Sequence, residues 1–313
     1  MDRTAPLIVI TGPTGSGKTG IALDLARRFP IEAVSADSMQ VYRHMDIATA
    51  KPTAAEQALL PHHLIDIRDP DEEFNAGMFM AMAAEKIGEI RARRRIPVVV
   101  GGTGLYIKAL IYGLAPVPPR SSRLRDWLRS LAQARGTPHL WEALNRMDPK
   151  NAEHIRKNDA VRIARSLEII FLTGRRASEV LGGHGFSEAW YRARIICVMP
   201  GRDLLYRSID ERVHAMVEAG LLEETWRLLE LGYDPSLRSM QTLAYKHVLQ
   251  LLEGRIGLPS CVGRIQRDTR HYAKRQITWM RSHYDQGSFL EPERARAELE
   301  RWLQEEASPA IEG

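Results

Sequence analysis

A glycine-rich segment near the start of the chain has the residue types and spacing that bind phosphate groups. Gly12, Gly17, Lys18 and Thr19 match the pattern G-x-x-x-x-G-K-[ST], with a β-branched run before it and helical spacing after it. In such a loop the lysine neutralises phosphate charge and the threonine hydroxyl is a ligand for Mg²⁺. The alternative interpretation is a chance match in an ordinary strand-to-helix turn. The residues expected to bind the phosphate groups are Gly12, Pro13, Thr14, Gly15, Ser16, Gly17, Lys18 and Thr19.

An acidic residue follows the second predicted strand. Residues 31–37 favour a short strand that ends at Asp37. Ligands of an open parallel sheet bind beyond the carboxyl ends of its strands, so Asp37 should face the same crevice as the phosphate-binding loop. A carboxylate there can ligate a metal, act as a general base or cap the following turn, and its position alone does not choose among the three.

A second glycine-rich segment follows a run of valines at residues 98–100, which suits a strand buried on both faces. Proteins that hydrolyse nucleoside triphosphates often place an acidic residue after such a strand. Here the segment Gly101-Gly102-Thr103-Gly104 follows instead. Glycines allow a ligand to approach the backbone, and Thr103 supplies a neutral hydroxyl. The predicted crevice therefore lacks an evident second acid for triphosphate hydrolysis.

These segments predict an α/β fold. Strand-like and helical runs up to residue 113, and again from residue 194, indicate a parallel sheet of the P-loop NTPase type with helices on both faces. Between them the pattern is Arg-rich and helical, and it opens with a stiff proline linker at 115–119. We predict a discontinuous catalytic core, 1–113 and 192–313, and a helical insertion at 114–191 whose return loop includes residues 182–185.

The composition is that of an ordinary soluble protein. Of 313 residues, 44% are hydrophobic and 27% charged, and neither a long apolar run nor a signal-peptide pattern is found. We therefore expect a cytoplasmic enzyme without membrane contact. Cys197 and Cys261 lack metal-ligand spacing and should be buried, so any metal should be Mg²⁺ bound by oxygen. The adjacent His62 and His63 would point to opposite faces of a strand, which favours a structural role.

Positive charge is distributed in clusters along the chain, whose net charge is +5. Such clusters suit a polyanionic partner, although a solvated helix face explains any one of them. Arg207 and Arg212 lie on a predicted helix, and each can reach the phosphates or form a surface ion pair. We include Arg207 among the expected diphosphate-binding residues. A helix over 264–281 would place basic residues in one stripe beside an aromatic face. That stripe contains Arg267, Arg270, Lys274 and Arg281.

One helix of the insertion has a clear amphipathic pattern. Asn158 or Asp159 can cap its start, and Arg162 and Arg165 then share one face. The apolar residues of the same helix, which should pack inward, are Ile163, Leu167 and Ile170.

Five segments of the chain, taken in order, resemble one known family. They are Gly-Pro-Thr-Gly-Ser-Gly-Lys-Thr (12–19), Asp-Ser-Met-Gln-Val-Tyr-Arg (37–43), Thr-Ala-Lys-Pro (49–52), Gly-Gly-Thr-Gly-Leu-Tyr (101–106) and Lys-Arg-Gln-Ile-Thr-Trp (274–279). Their combination, over about residues 7–283, resembles the tRNA dimethylallyltransferases, the bacterial tRNA isopentenyltransferases. The chain departs from the family at Gly15, where alanine is usual, and at His44, Ala48 and Ala244, which occupy positions that are often glycine.

The resemblance implies a prenyl transfer. Members of this family move a dimethylallyl group from its diphosphate to N6 of the adenine on the 3′ side of the tRNA anticodon and release diphosphate. By resemblance, Lys18, Arg212 and Mg²⁺ held near Thr19 would neutralise the departing diphosphate. Asp37 would be the general base for the attacking amine, and Thr103 would hydrogen-bond the bridging phosphate oxygen or the adenine.

The resemblance also implies that the target adenine leaves its stack to enter the crevice, while the insertion grips the anticodon stem-loop. Further contacts would come from residues 240–246. The other expected tRNA-binding residues are Asp37, Ser38, Met39, Gln40, Thr103, Arg123, Val161, Arg162, Ile163, Ala164, Arg165, Lys274 and Arg275. The expected partners are tRNA and dimethylallyl diphosphate, with Mg²⁺ as cofactor, and we expect a monomer.

Two other functions stay open on the sequence alone. An adenylate isopentenyltransferase acting on free nucleotides would share the crevice, but it would have no use for the Arg-bearing insertion or the basic stripe. An ATP-dependent kinase or a nucleotide-gated RNA-binding module would share the phosphate-binding loop. The absence of an acid after Val100 speaks against that second alternative.

Overall fold

The computed structural model describes residues 6–182 and 189–307. Within those ranges, six strands form one sheet in the order β3-β2-β4-β1-β5-β6, with every neighbouring pair parallel. The strands are β1 (Leu7–Thr11), β2 (Ile31–Ser35), β3 (His62–His63), β4 (Ile96–Gly101), β5 (Ala193–Val198) and β6 (Phe289–Leu290). The predicted α/β fold class is confirmed.

Helices connect the strands of this sheet and continue after β5. Those before the insertion are α1 (Lys18–Ala26), α2 (Ala54–Leu59), α3 (Ala76–Ala92) and α4 (Gly104–Tyr112). The helices of the insertion are α5 (Ser122–Arg135), α6 (Thr137–Met147), α7 (Pro149–Glu153), α8 (Ala160–Thr173) and α9 (Ala177–Gly182). Those after it are α10 (Arg202–Glu218), α11 (Leu221–Glu230), α12 (Tyr245–Leu252), α13 (Leu258–Arg281) and α14 (Pro292–Ala307).

Both faces of the sheet are covered, as the uninterrupted apolar strands require. Every residue of β1 is buried. On one face, Ile8 and Ile10 share a core cluster with Leu25 of α1 and Leu303 of α14. Val9, which points the other way, is also fully buried, and α3 packs against β2 and β4.

The loops that bear the candidate residues leave the sheet at the same level. In the strand register Thr11 of β1 pairs with Gly101 of β4, and Ser35 of β2 pairs with Val100. All three strands are parallel, so their carboxyl ends meet at one edge of the sheet. The phosphate-binding loop, the turn at Asp37 and the second glycine-rich segment therefore surround one crevice.

The chain divides into two compact units, Met1–Ile111 with Trp190–Gly313 and, separately, Tyr112–Ala189. The second unit has its own core, in which α5, α6 and α8 pack together. Asp159 caps α8 by accepting a hydrogen bond from the Arg162 N–H at 3.1 Å. The residues predicted to point inward are in this core: Ile163, Leu167 and Ile170. Residues 183–185 of the predicted return loop lie outside the described residues.

The cysteines and the histidine pair have structural settings. Cys197 and Cys261 are buried free thiols, as predicted, and burial raises the pKa of Cys197 to about 12. His63 Nε2 lies 2.7 Å from Glu32 Oε2, and His62 Nδ1 lies 2.6 Å from the Leu60 carbonyl oxygen. The described residues contain no cluster of three or more His, Cys, Asp or Glu suited to a metal. Nor does any helix in these ranges have the length and apolar character to cross a membrane.

Backbone conformation distinguishes two of the departures from the family pattern. Ala244 has φ −89° and ψ −55°, a right-handed helical conformation in which alanine is unstrained. His44 has φ +65°, in the left-handed region that favours glycine. The alanine is therefore a neutral replacement, whereas the histidine carries local strain.

Candidate active site

The phosphate-binding loop spans residues 12–17, between β1 and α1. Gly17 has φ +84° and serves as the N-cap of α1, so Lys18 and Thr19 form the first turn of that helix. The Ser16 hydroxyl is buried and has no hydrogen-bond partner within the described part of the chain. A buried polar atom without a partner is costly, so a ligand that bonds this hydroxyl would stabilise the loop.

Helix α10 packs directly against this loop. The Ser208 hydroxyl donates a hydrogen bond to the Gly15 carbonyl oxygen at 3.1 Å. A Cβ atom on Gly15 would lie 2.9 Å from Ile209 Cγ1, and Gly15 has φ +80°, so a side chain here would meet both a steric and a conformational barrier. This contact fixes the rotation of α10 and places Arg212, one turn after Ser208, beside the loop.

Three charged groups share the crevice and influence one another. The pKa of Lys18 is lowered to about 8, first by burial and then by the positive charge of Arg212, while Asp37 opposes the shift. Burial also lowers the pKa of Arg212, again opposed by Asp37. Neither cation forms an ion pair with a carboxylate in the described structure. A bound anion would therefore relieve the repulsion between them.

Asp37 caps the turn that follows β2. Its Oδ1 accepts hydrogen bonds from the backbone N–H groups of Met39 at 2.8 Å and Gln40 at 3.4 Å. Of the three roles that the sequence left open, turn capping is thus observed. Oδ2 accepts no hydrogen bond from the described residues, so it remains free to bind a metal or to take a proton.

The second glycine-rich segment lies against the Asp37 turn. A Cβ atom on Gly101 would lie 2.2 Å from the Ala36 carbonyl oxygen, so no larger residue fits there. The Thr103 N–H donates to that same carbonyl at 3.1 Å, and Thr103 Oγ1 accepts from the Ser38 N–H at 3.2 Å. Because the Thr103 oxygen acts as acceptor, its hydroxyl proton can be donated to a ligand.

Gln276 of α13 links the two glycine-rich segments, a function that the sequence analysis missed. Its Oε1 accepts a hydrogen bond from the Thr14 N–H at 2.9 Å, and its Nε2 donates to the Gly102 carbonyl oxygen at 3.0 Å. The residue is only 9% exposed. Two signals were available: Gln276 is a polar residue on the buried face of an amphipathic helix, and it lies within the family segment at 274–279.

Tyr272, one turn before Gln276, also lies near the crevice. Its pKa is raised to about 12, first by burial and then by the negative charge of Asp37, while Arg275 opposes the shift. The Arg275 guanidinium carbon lies 5.7 Å from the centre of the Tyr272 ring. Helix α13 therefore has one side in the crevice and another that exposes Lys274 and Arg275.

The segment after Asp37 is held within the protein. Gln40 Nε2 donates to the carbonyl oxygens of Thr49 at 3.3 Å and Ala50 at 3.2 Å, and its Oε1 accepts from the Ser35 hydroxyl at 2.9 Å. Met39 packs against an apolar cluster that includes Met45 and Tyr245. The Gln40 amide thus positions this segment. The contacts to a base that we expect from residues 38–40 stay a prediction.

Residues 46–48 are anchored by one carboxylate. Glu224 of α11 accepts hydrogen bonds from three successive backbone N–H groups: Asp46 at 2.8 Å, Ile47 at 2.7 Å and Ala48 at 3.1 Å. It also accepts from the Tyr245 hydroxyl at 2.6 Å. Charge-assisted bonds of this kind are roughly twice as strong as neutral ones, so Glu224 is the main anchor of this segment.

The predicted phosphate and RNA contacts of the core have different settings. Arg207 is exposed and forms no ion pair within the described ranges, whereas Arg212 lies in the crevice. Within the predicted basic stripe, Arg267 is 3.2 Å from Asp268 and Arg270 is paired with Asp210. Lys274, Arg275 and Arg281 are exposed, so they are the cations on this helix available to a polyanion. In the segment 240–246, Lys246 is 2.7 Å from Asp268.

The predicted RNA contacts of the insertion also differ in exposure. Arg123, Val161 and Arg162 are exposed. Arg165 lies 2.5 Å from Glu168 and donates to the Pro118 carbonyl oxygen at 2.9 Å. Ile163 is fully buried, so only its backbone could touch RNA, and Ala164 packs against the same core.

Comparison with known proteins places this crevice in context. The family model described as IPP transferase matches residues 40–283. The chain is 46% identical over 278 residues to tRNA dimethylallyltransferase 1 of Syntrophotalea carbinolica, covering 89% of this chain and 88% of that protein. It is 42% identical to the tRNA dimethylallyltransferase of Desulfatibacillum aliphaticivorans, with coverage of 95% and 97%.

Two solved structures are also similar. The full-length tRNA isopentenylpyrophosphate transferase of Bacillus halodurans has a TM-score of 0.68 and 36% identity, covering 98% of this chain and 99% of that one. A eukaryotic dimethylallyltransferase, crystallised in a study of its action on tRNA, has a TM-score of 0.76 and 30% identity, with coverage of 88% and 70%.

Proposed function

This chain is a member of the IPP transferase family, and we propose that it transfers a dimethylallyl group from dimethylallyl diphosphate to N6 of the adenosine on the 3′ side of the tRNA anticodon. The crevice carries this proposal. It combines one carboxylate, Asp37, and the neutral hydroxyl of Thr103 with two cations at the phosphate-binding loop, Lys18 and Arg212, that form no ion pair with any described carboxylate. That set suits the departure of a diphosphate and the loss of one proton.

The proposed reaction is a displacement at the allylic carbon. The adenine N6 attacks that carbon, and the carbon–oxygen bond breaks with its electron pair going to the diphosphate. Lys18, Arg212 and the N–H groups of the loop stabilise the charge that develops on the leaving group. Asp37 Oδ2 accepts the proton that N6 loses, while Oδ1 keeps the turn in place. Thr103 can donate its hydroxyl proton to the bridging phosphate oxygen or to the adenine.

The donor groups of the loop fit Mg²⁺. This ion prefers oxygen ligands, keeps several waters and is bound in nucleotide sites through few protein groups and the substrate phosphates. The Thr19 hydroxyl, in the first turn of α1, would hold it. When bound, Mg²⁺ would neutralise part of the diphosphate charge.

The RNA would be held by cations of both units. Lys274 and Arg275 on α13, and Arg123 and Arg162 in the insertion, are exposed and suited to phosphate contacts. We propose that the insertion grips the anticodon stem-loop and that the enzyme acts as a monomer in the cytoplasm. Arg165 would instead stabilise the insertion through Glu168.

A transfer assay tests the proposal directly. Purified protein, Mg²⁺ and labelled dimethylallyl diphosphate are mixed with unmodified tRNA or with AMP, and the label is followed into each. We expect label at the adenosine 3′ of the anticodon and none in AMP. Label in AMP would assign the chain to free-nucleotide prenylation, and no label in either would overturn prenyl transfer.

A further inference from the structure

The net positive charge of the protein is concentrated in the insertion. Residues 112–189 contain thirteen Lys and Arg against eight Asp and Glu, a net charge of +5. The whole chain has that same net charge, so the remaining residues are balanced. A unit with this excess attracts polyanions and repels copies of itself.

Two exposed aromatic side chains form a corner on this unit. Trp127 of α5 is 52% exposed and Phe171 of α8 is 48% exposed. Their ring centres are 6.1 Å apart and their planes lie at 76°. Perpendicular rings do not cover each other as a parallel stack does, so a flat group can stack on one ring and touch the other with its edge. Apolar side chains scattered singly over a surface need no explanation, but here two large exposed rings lie in contact.

A cation lies beside this corner. Arg123 precedes Trp127 by one helical turn, and residues four apart share a helix face. Arg123 is exposed and makes no ion pair within the described part of the insertion. By contrast, Arg129 pairs with Asp126 at 2.7 Å on the same helix. Arg123 is therefore available to an external anion.

We infer that Trp127 and Phe171 form a stacking site for an unpaired base of the RNA substrate, with Arg123 contacting the neighbouring phosphate. Proteins recognise RNA loops largely by stacking splayed bases on aromatic side chains and by pairing Arg with the backbone. This inference rests on the proposed action on tRNA and assigns to the insertion a base contact in addition to phosphate contacts. The rival occupant is a second copy of this chain, which the net charge of the unit disfavours.

Binding of unmodified tRNA to the full chain tests the inference, with Trp127→Ala, Phe171→Ala and the conservative Trp127→Phe. Loss of one stacked base should raise Kd by about five- to a hundredfold, and Trp127→Phe should restore most of the affinity. Trp226→Ala is the matched control, because Trp226 is 53% exposed but lies in the other unit. Unchanged thermal melting would show that the variants are folded.

Salt dependence separates stacking from charge. Trp127→Ala should leave the slope of log Kd against log salt unchanged, whereas Arg123→Ala should reduce it by roughly one phosphate contact, or ~0.7. A Kd within twofold of wild type for both aromatic variants would overturn the inference. So would a wild-type dimer that Trp127→Ala dissociates without a change in tRNA affinity. If wild-type protein fails to bind or modify tRNA, the proposed function itself is wrong.

Discussion

The side-chain carbonyl of Gln276 accepts a hydrogen bond from the backbone N–H of Thr14, a residue 262 positions earlier in the chain. The same amide donates to Gly102 at 3.0 Å, so one side chain holds both glycine-rich segments of the crevice. The helix that carries it also exposes Lys274 and Arg275. The RNA contacts that we propose for these two cations would thereby be mechanically linked to the proposed diphosphate site.

Substitution of Gln276 should therefore change the KM for dimethylallyl diphosphate more than the Kd for tRNA. Gln276→Glu keeps an acceptor for Thr14 but removes the donor to Gly102 and buries a charge, which destabilises by about 1–3 kcal/mol. We expect a higher KM for dimethylallyl diphosphate and a lower kcat, with the Kd for tRNA unchanged. Steady-state kinetics and urea unfolding measure these effects. Equal losses in tRNA affinity would show that Gln276 only supports the fold.

Asp37→Asn should abolish turnover while preserving the turn. The asparagine carbonyl can still accept the hydrogen bond from Met39, so the local structure should persist. Loss of a general base costs about 10²- to 10⁴-fold in rate. Single-turnover transfer of labelled dimethylallyl groups measures the rate, and tRNA binding serves as the control. Near-normal turnover in this variant would remove Asp37 from the proton transfer.

The affinity for inorganic diphosphate should fall as pH rises through the pKa of Lys18, which is about 8. Above that pH the amine is neutral and attracts the anion less. Because Arg212 lowers this pKa, Arg212→Met should move the transition to higher pH while weakening binding overall. Calorimetric titrations at several pH values compare the two proteins, and the titration of diphosphate itself cancels in their ratio. Coincident pH profiles would contradict the coupling of the two cations.

The same shift predicts how stability varies with pH. The pKa of Lys18 is lower in the folded protein than its ordinary value of 10.5, so the unfolded chain binds more protons between about pH 8 and that value. The contribution of Lys18 to stability therefore rises with pH across this range. Urea unfolding of the wild type and of Lys18→Met measures it, and the variant should lack this component.

Removal of Lys274 and Arg275 should weaken tRNA binding in a salt-dependent way. These side chains are exposed, so each can contribute one phosphate contact, and the double alanine variant should reduce the salt slope by about 1–2. Arg267→Ala is the control on the same helix, because Arg267 lies 3.2 Å from Asp268. Binding isotherms at several salt concentrations give the slope of log Kd against log salt for each variant. An equal effect of both substitutions would mean that the whole stripe contacts RNA.

Glu224→Gln should loosen the segment at 46–48. The neutral amide loses the charge-assisted bonds to three backbone N–H groups, and we expect a destabilisation of about 1–3 kcal/mol. Glu223→Gln is the control, since Glu223 is an exposed neighbour on the same helix. Chemical unfolding and hydrogen exchange of the Ile47 amide report global and local effects. Unchanged exchange at Ile47 would contradict the anchoring role.

Local patterns predicted which segments meet at the crevice, whereas the long-range contacts between side chains could not be predicted. The phosphate-binding loop, Asp37 and the segment at Thr103 each follow a strand, so their meeting follows from the parallel sheet alone. Arg207 and Arg212 lie about 140° apart around a helix, and only the contact between Ser208 and Gly15 shows which one faces the crevice.

In the insertion, too, the sequence predicted the local pattern but not which single side chains are exposed. Amphipathic spacing predicted that Ile163 points inward, and it does. The resemblance to the family nevertheless included Ile163 among RNA contacts, because a family pattern carries no information on exposure. Gln276 was missed for the opposite reason: its two partners are distant in the chain, and nothing near it in sequence indicates them.

The separation along the sequence between the phosphate-binding loop and the residues that hold it, Ser208 and Gln276, determines when the enzyme can become active during translation. The ribosome completes the loop early, but Ser208 follows Gly15 by 193 residues and Gln276 follows Thr14 by 262. The insertion draws its core from neighbouring helices, so a nascent chain can fold this unit first. The catalytic crevice, by contrast, must wait for α13. A growing chain whose cationic unit is already folded therefore stays chemically inert until α13 has been synthesised.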